Sequence, residues 1–204
     1  MSSAHILLIE DEPALRMMLR GILEIHGHIV SEADMREPGL EKLRADPSIS
    51  VVILDLGLPP QAHSISEGIA TLQAIQNDIL KVKVIVLTGQ DQEAAALEAI
   101  REGAFDFLAK PTSSPAILSA VTRALLFLQK ERELGAEGIT RVSINAHISD
   151  GLKSVRTDAE KNLVLQVLRD TSFNIVQSAK RLGVKRENMY YFLKKYGIVR
   201  DTQE

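Results

Sequence analysis

Three short, nearly continuous apolar runs mark the first half of the chain. They are His5–Ile9, Val51–Leu54 and Val84–Leu87. Each is too short for a typical helix but suits a strand that is buried on both faces. His28–Ser31 and Phe105–Leu108 are weaker strand candidates. Together the five segments predict a sheet of parallel strands.

Segments with the apolar spacing of helices lie between these predicted strands. They are Pro13–Ile25, Glu67–Ile79 and Gln92–Arg101. Pro13 follows three acidic residues, which favours the first turn of a helix. Strands that alternate with helices in this way predict an α/β fold with right-handed crossovers.

A longer helix is predicted over Pro115–Glu133. Two of its apolar residues, Leu126 and Phe127, fall outside its main apolar face. We therefore expect a neighbouring domain or a second copy of the chain to cover them. The main face itself consists of Ile117, Leu118, Val121, Leu125 and Leu128.

The pattern changes after Glu133. Residues 134–154 contain three glycines and no sustained periodicity, so they predict a linker between a domain over residues 1–133 and a second domain over residues 155–204. Helical signals resume in the second domain. Its first helix is predicted over Asp158–Arg169, with an apolar stripe made of Ala159, Leu163 and Val167.

Two further helices are predicted around a short turn that contains a glycine. Asn174 is a candidate N-cap for the first, and Gly183 is placed to end it in a left-handed conformation. The second is predicted over Arg186–Tyr196, with its inward face made of Met189, Leu193 and Tyr196. This order of elements is typical of a helix-turn-helix motif.

The outward face of the last helix carries long cations and hydrogen-bonding groups. Such side chains suit contacts with phosphates and base edges in the major groove of DNA. A surface helix with a solvated basic face is the alternative. The outward positions are Arg186, Asn188, Tyr190, Tyr191, Lys194 and Lys195.

The net charge of −3 conceals an asymmetry between the two predicted domains. Residues 155–204 hold ten Lys/Arg and six Asp/Glu, whereas the rest of the chain holds fourteen and twenty-one. A basic tail on an acidic body indicates a nucleic-acid partner for the tail, although ordinary surface variation explains the charge equally well. There is no cysteine, no apolar run long enough to span a membrane and no signal-peptide pattern. A cytoplasmic location is therefore expected.

Polar residues follow the ends of four predicted strands. They are Glu10 and Asp11, Asp55, Thr88, and Lys110. The carboxyl ends of parallel strands meet at one edge of a sheet, so we expect these side chains to converge. Three carboxylates repel one another unless a cation lies among them, and all-oxygen ligands favour Mg²⁺. A carboxylate on Mg²⁺ could attack a phosphoryl donor while the ammonium neutralises the developing charge.

Each of these residues also has a purely structural explanation. Asp11 could cap a helix, Asp55 could belong to a turn, and Lys110 could be a solvated loop residue. Four such coincidences at one edge of one sheet favour the functional interpretation.

The strings ILLIEDEPALR, VVILDLGLP, VIVLTG and GAFDFLAKP resemble the receiver domain of bacterial response regulators. The resemblance covers about residues 4–130 and implies a flavodoxin-like, doubly wound sheet of five parallel strands. It implies a sensor histidine kinase as partner and Asp55 as the phosphoacceptor. It further implies roles for other residues: Glu10, Asp11 and the carbonyl of Gly57 as Mg²⁺ ligands, Thr88 and Lys110 as phosphoryl contacts, and Phe107 as the aromatic switch.

The sequence departs from this family at three places. Glu10 stands where Asp is commoner, and Phe107 lacks the hydroxyl that Tyr would provide. The loop Pro59–Glu67 is about five residues longer than usual. It could shape partner recognition or be a tolerated surface insertion, and the sequence slightly favours the insertion.

The string NIVQSAKRLGVKRENMYYFLKKYGI in the tail resembles the all-α helix-turn-helix domain of the Fis family, and the resemblance covers about residues 157–199. The resemblance implies a dimer and a DNA-facing surface formed by Lys185, Arg186, Asn188, Tyr191 and Lys195. Lys185 stands where a small capping residue is usual. Tyr190 and Tyr191 stand at positions that are often charged.

Taken together, the sequence predicts a phosphorylation-controlled transcription regulator that forms a homodimer when phosphorylated. A tail that serves dimerisation or protein docking is the alternative, and a phosphate sink in a phosphorelay is a third possibility. There is no Walker-type glycine loop, and there is no room for an ATPase between the two predicted domains. No enzymatic activity is expected beyond self-phosphorylation and dephosphorylation at Asp55.

Overall fold

The fold was obtained as a computed structural model of the chain, which describes residues 3–78, 81–89, 93–137 and 151–198. The chain divides into two compact units, Met1–Thr140 and Arg141–Glu204. The boundaries predicted for the domains and linker stay a prediction, because residues 138–150 lie outside the described residues.

The first unit contains a sheet of five parallel strands in the order β2-β1-β3-β4-β5. The three central strands are buried almost throughout, which explains their continuous apolar sequences. The doubly wound α/β fold predicted from the sequence is confirmed. The strands are β1 (His5–Ile9), β2 (Ile29–Ala33), β3 (Ile49–Asp55), β4 (Lys83–Thr88) and β5 (Asp106–Ala109).

Five helices cover the two faces of the sheet. Leu19 of α1 and Val121 of α5 belong to a core on one face. Leu40 of α2, Leu72 of α3 and Ala99 of α4 belong to the core on the other. The helices are α1 (Pro13–Ile25), α2 (Arg36–Ala45), α3 (Ser66–Asn77), α4 (Glu93–Arg101) and α5 (Ser114–Ala136).

The two outer strands are shifted along the chain from their predicted bounds, whereas β3 and β4 extend beyond theirs at both ends. β2 extends to Ala33, because Ser31 and Glu32 pair with Leu7 and Leu8 through the backbone even though their side chains are polar. An edge strand lies half in solvent, so its sequence need not be continuously apolar. β5 likewise ends one residue later than predicted, at Ala109.

The expected covering of Leu126 and Phe127 by another domain or copy stays a prediction, although Phe127 already has partners inside the first unit. Its ring packs inside the first unit, with its centroid 5.4 Å from that of Phe105 and 4.8 Å from Nζ of Lys83. Phe127 lies off the main apolar face of α5, but Lys83 at the start of β4 and Phe105 just before β5 contact its ring. Leu126, by contrast, is 56% exposed.

The second unit contains three helices, α6 (Gly151–Asp170), α7 (Ile175–Leu182) and α8 (Arg186–Tyr196). α8 has the predicted bounds. α5 and α6 both extend into the range predicted as linker. The start of α6 was not predicted, because Lys153, Ser154 and Arg156 continue the helix without an apolar pattern that would reveal it.

The predicted apolar stripe of α6 is only partly correct. Val164, Val167 and Leu168 are its buried residues, whereas Leu163 and Ala159 are half-buried. The core of this unit joins Val164 and Leu168 to Ala179 of α7 and Met189 of α8. Within the described residues, no helix has the length and apolar content needed to cross a membrane.

Candidate functional site

The carboxyl edge of the sheet brings the predicted site residues together. Glu10 and Asp11 follow β1, and Asp55 is the last residue of β3. These three residues each offer an oxygen atom within 4.8 Å of the others. Thr88, the last residue of β4, is also buried. The convergence expected from the parallel sheet is therefore present.

Lys110 places its ammonium group between two of the carboxylates. Its Nζ lies 2.9 Å from Oδ2 of Asp55 and 2.9 Å from Oε2 of Glu10. Its backbone N–H donates to the Thr88 carbonyl at 2.6 Å, which fixes the residue at the end of β5. Burial acts to lower the pKa of Lys110, but its hydrogen bonds to Asp55 and Glu10 outweigh burial and raise the pKa above the ordinary value.

Glu10 is completely buried. Its Oε1 accepts hydrogen bonds from Lys110 at 3.1 Å and from the Glu12 N–H at 3.3 Å. No donor among the described residues is aligned with Oε2, although the Lys110 ammonium is close. Burial, followed by the charge of Asp55, raises the pKa of Glu10 to about 7, and Lys110 acts in the opposite direction.

This donor set fits a small divalent cation. Oε2 of Glu10 is a buried oxygen that lacks an aligned donor, and two further carboxylates lie within reach of the same point. An ion there would offset the burial and the Asp55 charge that together raise the pKa of Glu10. All-oxygen sites with few carboxylates favour Mg²⁺, which retains several waters.

Arg16 is a site residue that sequence reasoning missed. Its Nη1 donates to the backbone carbonyls of Glu10 at 2.5 Å and Asp11 at 3.2 Å. It thereby holds the loop that carries the acidic pair. The sequence feature that could have indicated Arg16 is its position as the last residue of the string ILLIEDEPALR, one turn into α1.

Gly57 and Phe107 occupy different surroundings. A Cβ on Gly57 would lie 3.7 Å from Oδ2 of Asp55, so this residue borders the acidic cluster. Phe107 is 46% exposed on β5 and is not part of the cluster. The roles of both residues stay predictions.

The second unit has the expected helix-turn-helix geometry. The Asn174 side chain accepts from the Gln177 N–H at 3.1 Å and caps α7. Gly183 ends α7 with φ +66°, a left-handed conformation that glycine adopts without strain. The Lys185 side chain makes no capping hydrogen bond at the start of α8. All the residues proposed to face DNA are exposed: Lys185, Arg186, Asn188, Tyr190, Tyr191, Lys194 and Lys195.

Several of these residues have partners within the unit. Arg186 donates from Nη2 to the Tyr190 hydroxyl at 3.1 Å. The Lys195 ammonium lies 3.1 Å from Oε1 of Glu160 on α6 and 4.8 Å from the Tyr196 ring centroid. Lys195 therefore also joins α8 to α6.

A parallel sheet with clustered carboxylates and a lysine at its carboxyl edge defines a small α/β domain suited to accept a phosphoryl group. The family model for the response regulator receiver domain matches residues 6–122. The chain therefore belongs to the response regulator receiver family. A second family model, for the bacterial regulatory protein, Fis family, matches residues 155–196.

Individual proteins give the same picture. The two-component response regulator PprB of Pseudomonas aeruginosa is 31% identical over 157 residues, which cover 76% of this chain and 56% of PprB. The chemotaxis protein CheY of Bacillus subtilis is 30% identical over 124 residues, 60% of this chain and 98% of CheY.

A solved structure is similar to a larger part of the chain. The crystal structure of NtrX from Brucella abortus in complex with ADP has a TM-score of 0.62 and 25% sequence identity. The similarity covers 83% of this chain and 33% of NtrX. This chain thus spans about half the length of PprB and about a third of NtrX.

Proposed function

We propose that this protein is a phosphorylation-dependent transcription regulator of a two-component system. Asp55 accepts a phosphoryl group from a histidine kinase, and α8 binds DNA. The observation that carries the proposal is the Lys110 ammonium 2.9 Å from Asp55, beside Glu10 and Asp11, in a chain that also holds a helix-turn-helix with an exposed basic face.

Phosphoryl transfer would use the residues of the carboxyl edge. An Asp55 carboxylate oxygen attacks phosphorus, the bond from phosphorus to the donor's histidine nitrogen breaks, and the electron pair remains on the imidazole. Glu10, Asp11, Asp55 and the Gly57 carbonyl would hold Mg²⁺, which supplies positive charge to the transferred oxygens. Lys110 supplies a second positive charge, and the Thr88 hydroxyl donates to the phosphoryl group once it is attached.

The signal would reach DNA through a shift between two states. A phosphoryl group drawn toward Thr88 and Lys110 changes the carboxyl ends of β4 and β5, and Phe107 lies on β5. The face formed by α4, β5 and α5 then pairs with a second copy. A dimer brings two recognition helices to two half-sites, which raises the affinity for DNA.

The acceptor is tested by phosphorylation with acetyl phosphate and Mg²⁺, followed by intact-protein mass spectrometry. We expect the wild-type chain to gain one phosphoryl group and Asp55→Asn to gain none. Asp78→Asn, which changes a surface carboxylate paired with Arg44, should be labelled like the wild type. Full labelling of Asp55→Asn would refute the assignment of the acceptor.

A further inference from the structure

The loop between β3 and α3 lies against the acidic cluster. The Ala62 carbonyl oxygen is 3.1 Å from the point that a Cβ would occupy on Gly57. The same point is 3.7 and 3.9 Å from the two carboxylate oxygens of Asp55. An added methyl group would be tightly packed there, so the glycine lets the loop backbone approach the acceptor closely. This contact is not expected of a surface insertion that merely projects into solvent.

Both ends of this loop are fixed in the first unit. Leu58 is fully buried, and it anchors the chain just after Gly57. At the other end, a Cβ on Gly68 would lie 2.3 Å from Cα of Leu56, so the first turn of α3 lies directly on the end of β3. The residues between Leu58 and α3 must therefore form an arch that begins and ends beside Asp55.

Hydrogen bonds within the arch hold its shape. The Ser66 hydroxyl, at the start of α3, donates to Oε1 of Gln61 at 2.9 Å. The Ser64 N–H donates to the Gln61 carbonyl at 2.7 Å, and the Ser64 hydroxyl donates to that of Ser66 at 3.1 Å. Gln61 directly precedes Ala62, so its bond to Ser66 fixes where the Ala62 carbonyl lies.

We propose that residues 59–65 form a wall of the phosphoryl site that slows the hydrolysis of phosphorylated Asp55, with Gln61 as a positioning residue. The inference rests on the proposed phosphorylation of Asp55. In hydrolysis a water oxygen attacks phosphorus, the bond from phosphorus to the Asp55 oxygen breaks, and inorganic phosphate leaves. Closure of a site protects a reactive group from water. The Ala62 carbonyl packs on Gly57, and in this proposal it screens one approach of water to Asp55.

The lifetime of the phosphorylated protein tests this proposal. Wild-type and variant chains are phosphorylated with acetyl phosphate and Mg²⁺, the donor is removed, and the remaining phosphorylated fraction is followed over time by intact-protein mass spectrometry. Gln61→Ala removes the side-chain bond to Ser66 and keeps the loop length. Removal of residues 61–65 deletes the arch. Asp78→Asn, a surface change outside the arch, is the matched control.

We expect the phosphorylated form of Gln61→Ala to have a half-life shorter than that of the wild type by a factor on the order of three or more. Removal of the arch should shorten the half-life further. Asp78→Asn should keep the wild-type half-life. An unchanged half-life in Gln61→Ala would overturn the role of the loop, even if the shortened chain failed to fold. A wild-type chain that takes no label would overturn the phosphorylation of Asp55 itself, and that result is seen before any variant is compared.

Discussion

At the scale of single residues, Glu10 combines complete burial with a position between a carboxylate and an ammonium group. Water cannot solvate its charge, and Lys110 only partly replaces water. The pKa of about 7 means that the cation-free protein holds a proton on Glu10 below neutrality. The same side chain must lose this proton before it can bind a divalent cation.

Mg²⁺ affinity should therefore depend on pH. Below about pH 7 Mg²⁺ competes with the proton on Glu10, and above it the carboxylate is free. We expect calorimetric titration to give weaker binding at pH 6 than at pH 8, with proton release at pH 6. In Glu10→Gln the remaining affinity should vary less over this range. Equal affinity of the wild-type protein at both values would show that Glu10 does not titrate against the metal.

Ser172 is a second residue that gives a testable prediction, because its backbone conformation should affect the free energy of unfolding. It has φ +50° in the turn between α6 and α7, a left-handed conformation that costs a non-glycine residue about 1 kcal/mol or more. Ser172→Gly should raise the free energy of unfolding of the second unit by about 0.5–1 kcal/mol in urea denaturation. Ser154→Gly, within α6, is the matched control and should lower it by a similar amount.

At the scale of elements, the sequence predicted the central strands and the last two helices well. Buried parallel strands must be continuously apolar, and Asn174 and Gly183 mark the two ends of α7 chemically. The edge strand β2 and the start of α6 were less predictable, because their backbone bonds form without a matching apolar pattern. Convergence of the acidic cluster followed from parallel topology, whereas the contact of Ala62 with Gly57 depends on tertiary packing that spacing does not encode.

The inward face of α6 gives a direct test at this scale. Leu168 is fully buried, whereas Leu163, which the sequence pattern favoured, is half-buried. Leu168→Ala should lower the free energy of unfolding of the second unit by about 2–5 kcal/mol, since it leaves a cavity in the core. Leu163→Ala should cost clearly less in the same urea titration. The reverse order would mean that α6 presents its other face to the core.

At the scale of the whole molecule, two units with different charge carry two parts of one proposed function. The receiver holds the acidic cluster, and the basic unit holds the exposed face of α8. The central claim is that phosphorylation of the first unit controls DNA binding by the second. An experiment on one unit alone cannot test this claim, because phosphorylation of the first unit and DNA binding by the second could each occur without the other.

The most direct test is fluorescence anisotropy with a labelled DNA duplex that the protein itself has selected from a random-sequence pool. Binding is titrated with and without acetyl phosphate and Mg²⁺ at two salt concentrations, with Asp55→Asn and Arg186→Ala as controls. We predict salt-sensitive binding that tightens on phosphorylation, no tightening in Asp55→Asn, and weaker binding in Arg186→Ala. Identical affinity before and after phosphorylation, with the phosphoryl group shown on Asp55, would contradict the account.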